Sequence, residues 1–410
     1  MAAVVLATVV CTLLFWLIKQ PTFMGVSVAD YPGVNSDYEP QVRSLLTGDE
    51  PFSARYPPGF PLLLAGLFHV ASFLRLSLDM TLAAFILVCT GLANVWLYLI
   101  GRSIWGVIPA LGSAAMWITY VPALWLTTYP SPETPFMTAL FGAMLLFGRA
   151  LWEVRRRLVA LFGSGFLIGI AMLIRPIAIV LGPVLLIVFW TVRSDLPRSR
   201  RFVFAASFLL ALLVPVVPWE TWVHGRTGRI VPLSTLGTAG LLEGLTYGVD
   251  PDEGRHVALP SDVEQLQRDI LAKQYRELTS VGEIAAYMRQ QLLARPASVF
   301  KLYVIKAAES WYATDSTRYD RWVLLLQLLY LPGVLLATWV SWKAGGRSRD
   351  WTIVAWATCI YFWVMTTATF SIARYMVPGL GLVWVLLGAI VVRARRSASR
   401  SITREIAQSA

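Results

Sequence analysis

Apolar residues follow one another in long runs along this chain, and short polar gaps separate the runs. Uncharged runs of about 20 residues are the pattern of helices that cross a lipid bilayer. Ten runs are of suitable length, at residues 2–18, 79–100, 105–127, 133–152, 158–174, 176–192, 202–218, 322–342, 352–370 and 375–392. The pattern predicts an all-α polytopic membrane protein with about ten transmembrane helices.

One further apolar stretch, residues 59–76, begins among prolines and contains His69 and Arg75. Its placement follows from the Arg- and Lys-bearing gaps, which favour the cytoplasmic side of the membrane; they lie at 102, 155–157, 193–201, 343–349 and 393–396. These gaps share one side only if residues 59–76 do not cross. We therefore expect this stretch to lie along the outer face of the membrane as an amphipathic or re-entrant segment.

The same topology predicts three regions. Residues 1–218 form an N-terminal transmembrane module, whose first external loop at 19–78 carries the chemistry. Residues 219–321 form an external region that is partly helical, with helical spacing at 262–295 and an apolar, aromatic stretch at 300–312 that could dock on the membrane. Residues 322–410 are C-terminal transmembrane helices with a basic cytoplasmic tail.

Composition excludes a soluble domain, because 57% of the residues are hydrophobic and only 14% are charged. A net charge of +11 would suggest nucleic acid as the partner of a soluble protein. Here the arginines stand in the gaps between spans, where they orient helices in the membrane. We therefore expect membrane lipids as partners and exclude nucleic acid.

The first external loop offers the candidate bases. Ser36 and Glu39 have the spacing of a capping box, which predicts a short helix that runs to Leu46 and ends at Gly48. Asp37 would then lie in the first turn, either as a general base for a hydroxyl group or as a partner of the helix dipole. Asp30 is a competing candidate for the base.

Three more charged residues stand at the predicted external ends of spans. Glu133 begins a span between prolines, as a second acidic group of a shared site or as an ordinary first-turn glutamate. Arg175 and Arg374 end or precede spans, where arginine is scarce by the positive-inside rule. A bound phosphate explains at least one of them, and snorkelling to headgroups is the alternative.

The order of these motifs resembles the GT-C superfamily of integral membrane glycosyltransferases. Resemblance is strongest to the dolichyl-phosphate-mannose protein mannosyltransferases and the bacterial aminoarabinose transferases that act on lipid A. It rests on an acidic first loop, Tyr56-Pro-Pro-Gly-Phe-Pro61, Glu133, Leu173-Ile-Arg-Pro176, Pro218-Trp-Glu-Thr-Trp222 followed by Val231-Pro-Leu-Ser-Thr235, and Arg374-Tyr-Met-Val-Pro378.

The resemblance implies the GT-C fold, with external juxtamembrane helices in the first loop. It also implies transfer of a sugar from a polyprenyl phosphate to an acceptor hydroxyl of a protein, lipid or glycan, with inversion. It places the catalytic carboxylate on Asp37 or Asp30 and a second acidic group on Glu133. The chain departs from the family in the spacing around Asp37 and has Tyr56 where the lipid A enzymes have lysine. Further candidates are Arg55, Arg175 and Arg374 for the donor phosphate, and Glu39, Tyr56 and His69 for substrate.

The resemblance implies no required cofactor and no assigned metal ligand, and it leaves a divalent metal open. It favours a bacterial plasma membrane, with the active site facing outside. A transporter or flippase of lipid-linked substrates, or a non-catalytic polyprenyl-lipid binding protein, would have a similar composition. Asn94 is the main polar residue deep in a predicted span and no internal repeat is visible, which favours the transferase.

Overall fold

The computed structural model describes residues 1–25, 38–48, 54–235, 237–250, 257–274 and 276–395, and within these ranges helices dominate and no named strand occurs. The first ten helices are α1 (Ala2–Ile18), α2 (Glu39–Thr47), α3 (Gly59–Leu74), α4 (Leu78–Trp105), α5 (Val107–Ile118), α6 (Val121–Trp125), α7 (Glu133–Trp152), α8 (Arg157–Ile174), α9 (Leu181–Val192) and α10 (Arg198–Thr227). The others are α11 (Gly237–Thr246), α12 (Ser261–Lys273), α13 (Val281–Ala294), α14 (Pro296–Tyr312), α15 (Asp320–Ala344), α16 (Gly346–Ala368) and α17 (Val377–Trp384).

Within the described ranges, seven helices are long and apolar enough to cross a membrane. They are α4, α7, α8, α10, α15, α16 and the segment Val377–Arg395, which contains α17. Four apolar segments are shorter: Ala2–Ile18, Gly59–Leu74, Val107–Ile118 and Pro176–Val192. The prediction of an all-α polytopic membrane protein is confirmed, whereas the count of ten crossings stays a prediction.

Two predicted runs have different boundaries in the structure. The run predicted at 105–127 is divided into α5 and α6, because Tyr120 adopts an extended backbone and α6 begins after it at Val121, with Pro122 in its first turn. The run predicted at 202–218 is the middle of α10, which continues to Thr227 despite Pro215 and Pro218 inside it. Hydropathy alone placed the end of this helix too early, since its last turns are polar. The motif at 218–222 therefore lies on a helix and does not open a loop.

Helix α7 lies at the centre of the bundle. Most of its side chains are buried, and it packs between α4 and α8. Helix α8 in turn packs closely against α10, and Gly165 makes this approach possible. A Cβ atom at Gly165 would lie only 2.1 Å from the carbonyl oxygen of Phe208. Small residues at helix contacts in membranes act in this way, because they let two backbones come together.

The two ends of the bundle differ in their side chains. At one end, Arg193 lies 3.2 Å from Asp350, and Arg347 donates to the carbonyl oxygen of Ser103 over 3.2 Å. Several of the gaps that we expect to be cytoplasmic therefore meet at this end, which we call the basic end. The opposite end joins the segment after α1 to the segment before α7, through a 2.9 Å bond from the amide of Thr22 to the carbonyl of Thr128.

The predicted helices of the first loop and of the external region are present. Helix α2 ends at Gly48, which has the left-handed φ of 73° that stops a helix. Its N-cap is Tyr38, while Ser36 of the predicted capping box lies outside the described residues. Helices α12 and α13 match the helical spacing at 262–295, and with α11 and α14 they bury a separate apolar core. The placement of residues 59–76 and 300–312 relative to the membrane stays a prediction.

Candidate active site

Glu133 is the buried centre of the opposite end of the bundle. It is the first residue of α7, and the prolines around it explain its position, since Pro132 caps the helix and Pro135 fits the first turn. Only 2% of its surface is exposed. A buried carboxylate is costly unless charged partners compensate it, so its neighbours decide what it can do.

Arg175 is the first of those partners. It caps the C-terminus of α8 in an extended conformation, because Pro176 follows and disfavours helical geometry at the residue before it. Its guanidinium donates a hydrogen bond to Oε1 of Glu133. It also faces the ring of Tyr375, with 4.4 Å between the guanidinium carbon and the ring centroid. The helix end and the proline thus aim this arginine at the start of α7.

Arg374 is the second partner and comes from the segment before α17. Its Nε lies 3.7 Å from Oε1 of Glu133, and its Nη1 lies 3.3 Å from the carboxylate of Asp315. Its Nη2 donates to the hydroxyl of Tyr375 over 3.0 Å. A bond of 2.7 Å from the amide of Ala373 to the carbonyl of Ala313 holds the segment in place. Both predicted arginines therefore meet at one carboxylate.

This cluster of Glu133, Arg175 and Arg374 carries more positive than negative charge. The side chain of Asp315 is 59% exposed, so solvent weakens its compensation of Arg374. Burial opposes the charge on Arg175, but Glu133 beside it leaves the pKa of this arginine raised. Both guanidiniums stay charged, and a buried excess of arginine charge is suited to an anion such as phosphate.

Several buried polar atoms at this place lack a hydrogen bond. Oε2 of Glu133 and Nε of Arg374 have no hydrogen-bond partner in the part of the chain that the structure describes. The same holds for Oγ of Ser371, three residues before Arg374. Buried polar groups are usually satisfied, and a local group of exceptions is typical of a site that receives a ligand or water.

Tyrosines form the walls of the cluster. Burial raises the pKa of Tyr38, an effect that Arg175 only partly offsets, and burial likewise raises the pKa of Tyr129, with Glu133 adding to it. Both hydroxyls therefore remain protonated and can donate hydrogen bonds. The sequence reasoning missed Tyr38, Tyr129 and Tyr375, although each stands within four residues of a charged candidate. Asp315 was also missed, and no sequence signal marks it.

The motif around Tyr56 reaches the cluster through α3. Gly59, at the start of this helix, packs against the end of α8, where a Cβ atom would lie 2.6 Å from the carbonyl oxygen of Leu173. The ring of Tyr56 lies 4.5 Å from that of Tyr38, and Phe60 packs on Tyr38 at 5.0 Å. The absence of a side chain at Gly59 thus brings the first loop to Arg175.

The motifs at 218–222 and 231–235 are bonded to each other and to the first loop. Trp219 of α10 donates to the carbonyl of Leu233 over 2.9 Å, and the amide of Leu233 donates to Glu220 over 2.7 Å. The amide of Thr235 then donates to the carbonyl of Ala54 over 2.9 Å. Motifs far apart in the sequence are therefore connected by backbone and side-chain bonds next to Arg55.

The other predicted residues have varied positions. Asp37 and Asp30 lie outside the described residues. Arg55 is exposed, with its guanidinium 5.7 Å from the centre of the Tyr56 ring. Glu39 forms an ion pair of 2.7 Å with Arg43 one turn later on α2.

His69 is exposed on α3, ten residues beyond Gly59 and so about 15 Å along the helix. Neither His69 nor Glu39 forms a hydrogen bond or ion pair with the cluster among the described residues. Among the side chains that the structure describes, no three His, Cys, Asp or Glu residues come together as a metal site.

Two proteins are among the solved structures that are similar to this chain. ArnT from Cupriavidus metallidurans bound to undecaprenyl phosphate is 14% identical, with a TM-score of 0.45, over 98% of this chain and 80% of that one. The archaeal oligosaccharyltransferase AglB from Archaeoglobus fulgidus, in complex with an inhibitory peptide and a dolichol-phosphate, is 12% identical with a TM-score of 0.47. That match covers 97% of this chain and 51% of AglB, so this chain spans about half the length of AglB.

A search of curated proteins finds no significant match. A family model described as dolichyl-phosphate-mannose-protein mannosyltransferase matches residues 55–219. The matched segment contains the candidate residues Arg55, Tyr56, His69, Glu133 and Arg175. The resemblance to the GT-C glycosyltransferases that the motifs predict is thereby confirmed over residues 55–219, which contain Glu133 and Arg175 but not Arg374.

Proposed function

We propose that the protein is a glycosyltransferase that takes a sugar from a polyprenyl-phosphate donor and passes it to an acceptor hydroxyl on the external face of the membrane. The observation that carries this proposal is the buried cluster in which Glu133 contacts both Arg175 and Arg374. The cluster lies at the ends of helices long enough to span a bilayer. A donor whose phosphate sits at the membrane surface and whose chain lies in lipid would fit such a position.

The arginines would serve the leaving group. When the bond between the anomeric carbon and the phosphate oxygen breaks, the electron pair stays on the phosphate, whose charge grows from one negative charge toward two. Arg175 and Arg374 then stabilise the transition state more than the bound donor, which is the condition for catalysis. Preorganised donors of this kind typically contribute about 10² to 10³ in rate each. Glu133 acts as a positioning residue, since it holds both guanidiniums.

Asp37 is the proposed base, and Asp30 is the alternative. A carboxylate removes the proton from the acceptor hydroxyl while the hydroxyl oxygen forms the new bond to the anomeric carbon, on the face opposite the phosphate. This geometry inverts the anomeric centre. Support for Asp37 comes from its covalent neighbour Tyr38, whose ring lies in the wall of the cluster. Base catalysis of this type contributes about 10² to 10⁴ in rate.

A donor-choice experiment tests the proposal. The purified full-length protein is reconstituted in liposomes and mixed with a cell-envelope extract as the source of acceptor. A radiolabelled sugar is offered either on polyprenyl phosphate or on a nucleotide. We expect label in the envelope fraction only with the lipid-linked donor, since a Gly-rich loop for nucleotide phosphates is not found in the sequence.

Variants make the same assay specific to the cluster. Arg374→Ala should weaken donor binding and lower the transfer rate together, because the phosphate is charged in both the ground state and the transition state. Arg268→Ala is the matched control, since Arg268 is an exposed arginine whose partner is Glu264 on the same helix. Transfer from the nucleotide sugar alone, or equal rates in both variants, would refute the proposal.

A further inference from the structure

An open cavity of about 510 Å³ lies beside the C-terminal end of α1, at the same end of the bundle as Glu133. This volume is within the range of small-molecule sites. Its polar and aromatic lining consists of Lys19, Gln20, Thr22, Trp125, Thr128 and Tyr129. The Glu133 cluster does not account for this cavity, although Tyr129 borders both.

Lys19 supplies a positive charge to the cavity. Its Nζ lies 4.6 Å from the centre of the Trp125 ring and 5.3 Å from that of Tyr319, and it donates to the Tyr319 hydroxyl over 3.3 Å. No carboxylate pairs with Lys19 in the part of the chain that the structure describes. Aromatic faces hold the ammonium group in place and leave its charge for a ligand that carries a negative charge.

The cavity wall is held by bonds between α1 and the segment before α7. The indole of Trp16 donates to Thr127 over 2.9 Å, and the amide of Thr22 donates to the carbonyl of Thr128 over 2.9 Å. The rings of Trp125 and Tyr319 lie 5.0 Å apart, edge to face. The lining is therefore built from two separated parts of the chain, residues 18–22 and 125–129, and Tyr319 from a third part packs against Trp125 and Lys19.

An exposed apolar surface continues from the cavity along α1. Leu17 is 79% exposed and Ile18, which lines the cavity, is 84% exposed. On α15, next to Tyr319 in sequence, Trp322 is 70% exposed and Leu325 is 57% exposed. A ligand with a charged head and apolar chains would place the head at Lys19 and the chains on these surfaces.

We propose that this cavity binds the phosphate headgroup of a membrane lipid, at a second site separate from the arginines around Glu133. The lysine provides the charge, the side-chain amide of Gln20 provides hydrogen-bond donors, and the exposed faces of α1 and α15 hold the acyl chains. A soluble phosphate ester shares the headgroup chemistry but lacks the chain contacts. The lipid would lie beside Tyr129, and so next to the proposed site of transfer.

Lipid binding to the purified full chain tests the proposal by native mass spectrometry. Phosphatidylglycerol and phosphatidylcholine are offered in turn. The affinity for each lipid is measured for the wild type and for Lys19→Gln. We expect this variant to lower phosphatidylglycerol affinity about tenfold, since a hydrogen bond to a charged group is lost. Phosphatidylcholine should bind less well than phosphatidylglycerol to the wild type, and Lys19→Arg, which keeps the charge, should bind like the wild type.

Lys301→Gln is the control for a general loss of charge, because Lys301 is an exposed lysine paired with Asp262 at 3.0 Å. It should bind phosphatidylglycerol as the wild type does. The proposal is overturned if Lys19→Gln keeps wild-type affinity, or if the control loses as much. Displacement of the lipid by equimolar glycerol phosphate would show that the site takes a soluble phosphate ester instead.

A third arm separates this site from the proposed donor site. Polyprenyl phosphate should bind together with phosphatidylglycerol, and Arg374→Ala should reduce only the former. If polyprenyl phosphate displaces phosphatidylglycerol one for one and Lys19→Gln loses both, the cavity is the donor site and the proposal of a second site fails. Because the assay measures binding and not transfer, its result is independent of the glycosyltransferase activity.

Discussion

Replacing Glu133 with Gln tests the electrostatic account of the candidate site. Gln keeps the volume of the side chain and an oxygen that can accept from Arg175, but it removes the negative charge between two buried arginines. At the 3.7 Å between Arg374 Nε and Glu133 Oε1, one such charge pair is worth roughly 4 kcal/mol at an effective dielectric constant of 20. Loss of one partner from a buried pair costs about 3 to 5 kcal/mol in measured cases.

We therefore expect Glu133→Gln to lower the free energy of unfolding by about 3 kcal/mol or more. The measurement is denaturant unfolding in detergent micelles, followed by tryptophan fluorescence. Glu39→Gln is the matched control, because Glu39 makes a partly exposed pair with Arg43 one turn away. That pair should contribute only about 0.3 to 0.5 kcal/mol.

The double variant Glu133→Gln/Arg374→Gln separates charge from side-chain shape. Removing the charge of Arg374 should recover part of the stability that Glu133→Gln loses, because Arg374 no longer repels Arg175. The two changes should therefore be non-additive, with a coupling of about 1 to 3 kcal/mol. Additive effects, or a loss in Glu133→Gln no larger than in the control, would refute the reasoning that these charges form one buried cluster.

Three further changes test other parts of the molecule. Asp37→Asn should abolish transfer but leave donor binding intact, whereas Asp30→Asn should stay active. Full activity of both variants in the donor assay would contradict a base in the first loop. Gly59→Ala should lower stability and transfer, because its Cβ would lie 2.6 Å from a carbonyl oxygen of α8. A Cβ at Gly66 on the same helix meets nothing within 4 Å, so Gly66→Ala should leave the thermal unfolding temperature unchanged. Burial lowers the pKa of Lys306 from 10.5 to about 7. Between pH 7 and pH 10.5 the folded protein therefore binds fewer protons than the unfolded chain. Its stability should rise as the pH rises through this range. Lys306→Met should remove this slope of about 1 kcal/mol per pH unit in unfolding measured from pH 7.5 to 9; an unchanged slope would contradict it.

The sequence by itself determined the helical membrane class and many helix ends. These depend on local properties: the length of an apolar run, a glycine with a left-handed backbone at Gly48, and a proline after Arg175. It also identified Arg175, Arg374 and Glu133 as charged residues at the ends of spans. Each of these predictions needs only the residues within a few turns of the position concerned.

Hydropathy was less informative where a helix is interrupted or leaves the apolar run. The break at Tyr120 and the extension of α10 to Thr227 do not change the average hydropathy enough to be seen. Whether a proline ends a helix depends on what satisfies the backbone groups around it, and neighbouring helices supply those contacts. Only the packed bundle decides such boundaries.

The tertiary structure decided which of the charged residues act together. Arg175 and Arg374 share Glu133 because the ends of α7, α8 and α17 meet, and the arrangement of those ends depends on close contacts deep in the bundle, such as Gly165 against Phe208. Glu39 and His69, which are equally polar in the sequence, form no hydrogen bond or ion pair with this cluster in the described residues. Local propensity is a property of neighbouring residues, whereas a site is a property of distances between segments, and those distances exist only after the helices have packed.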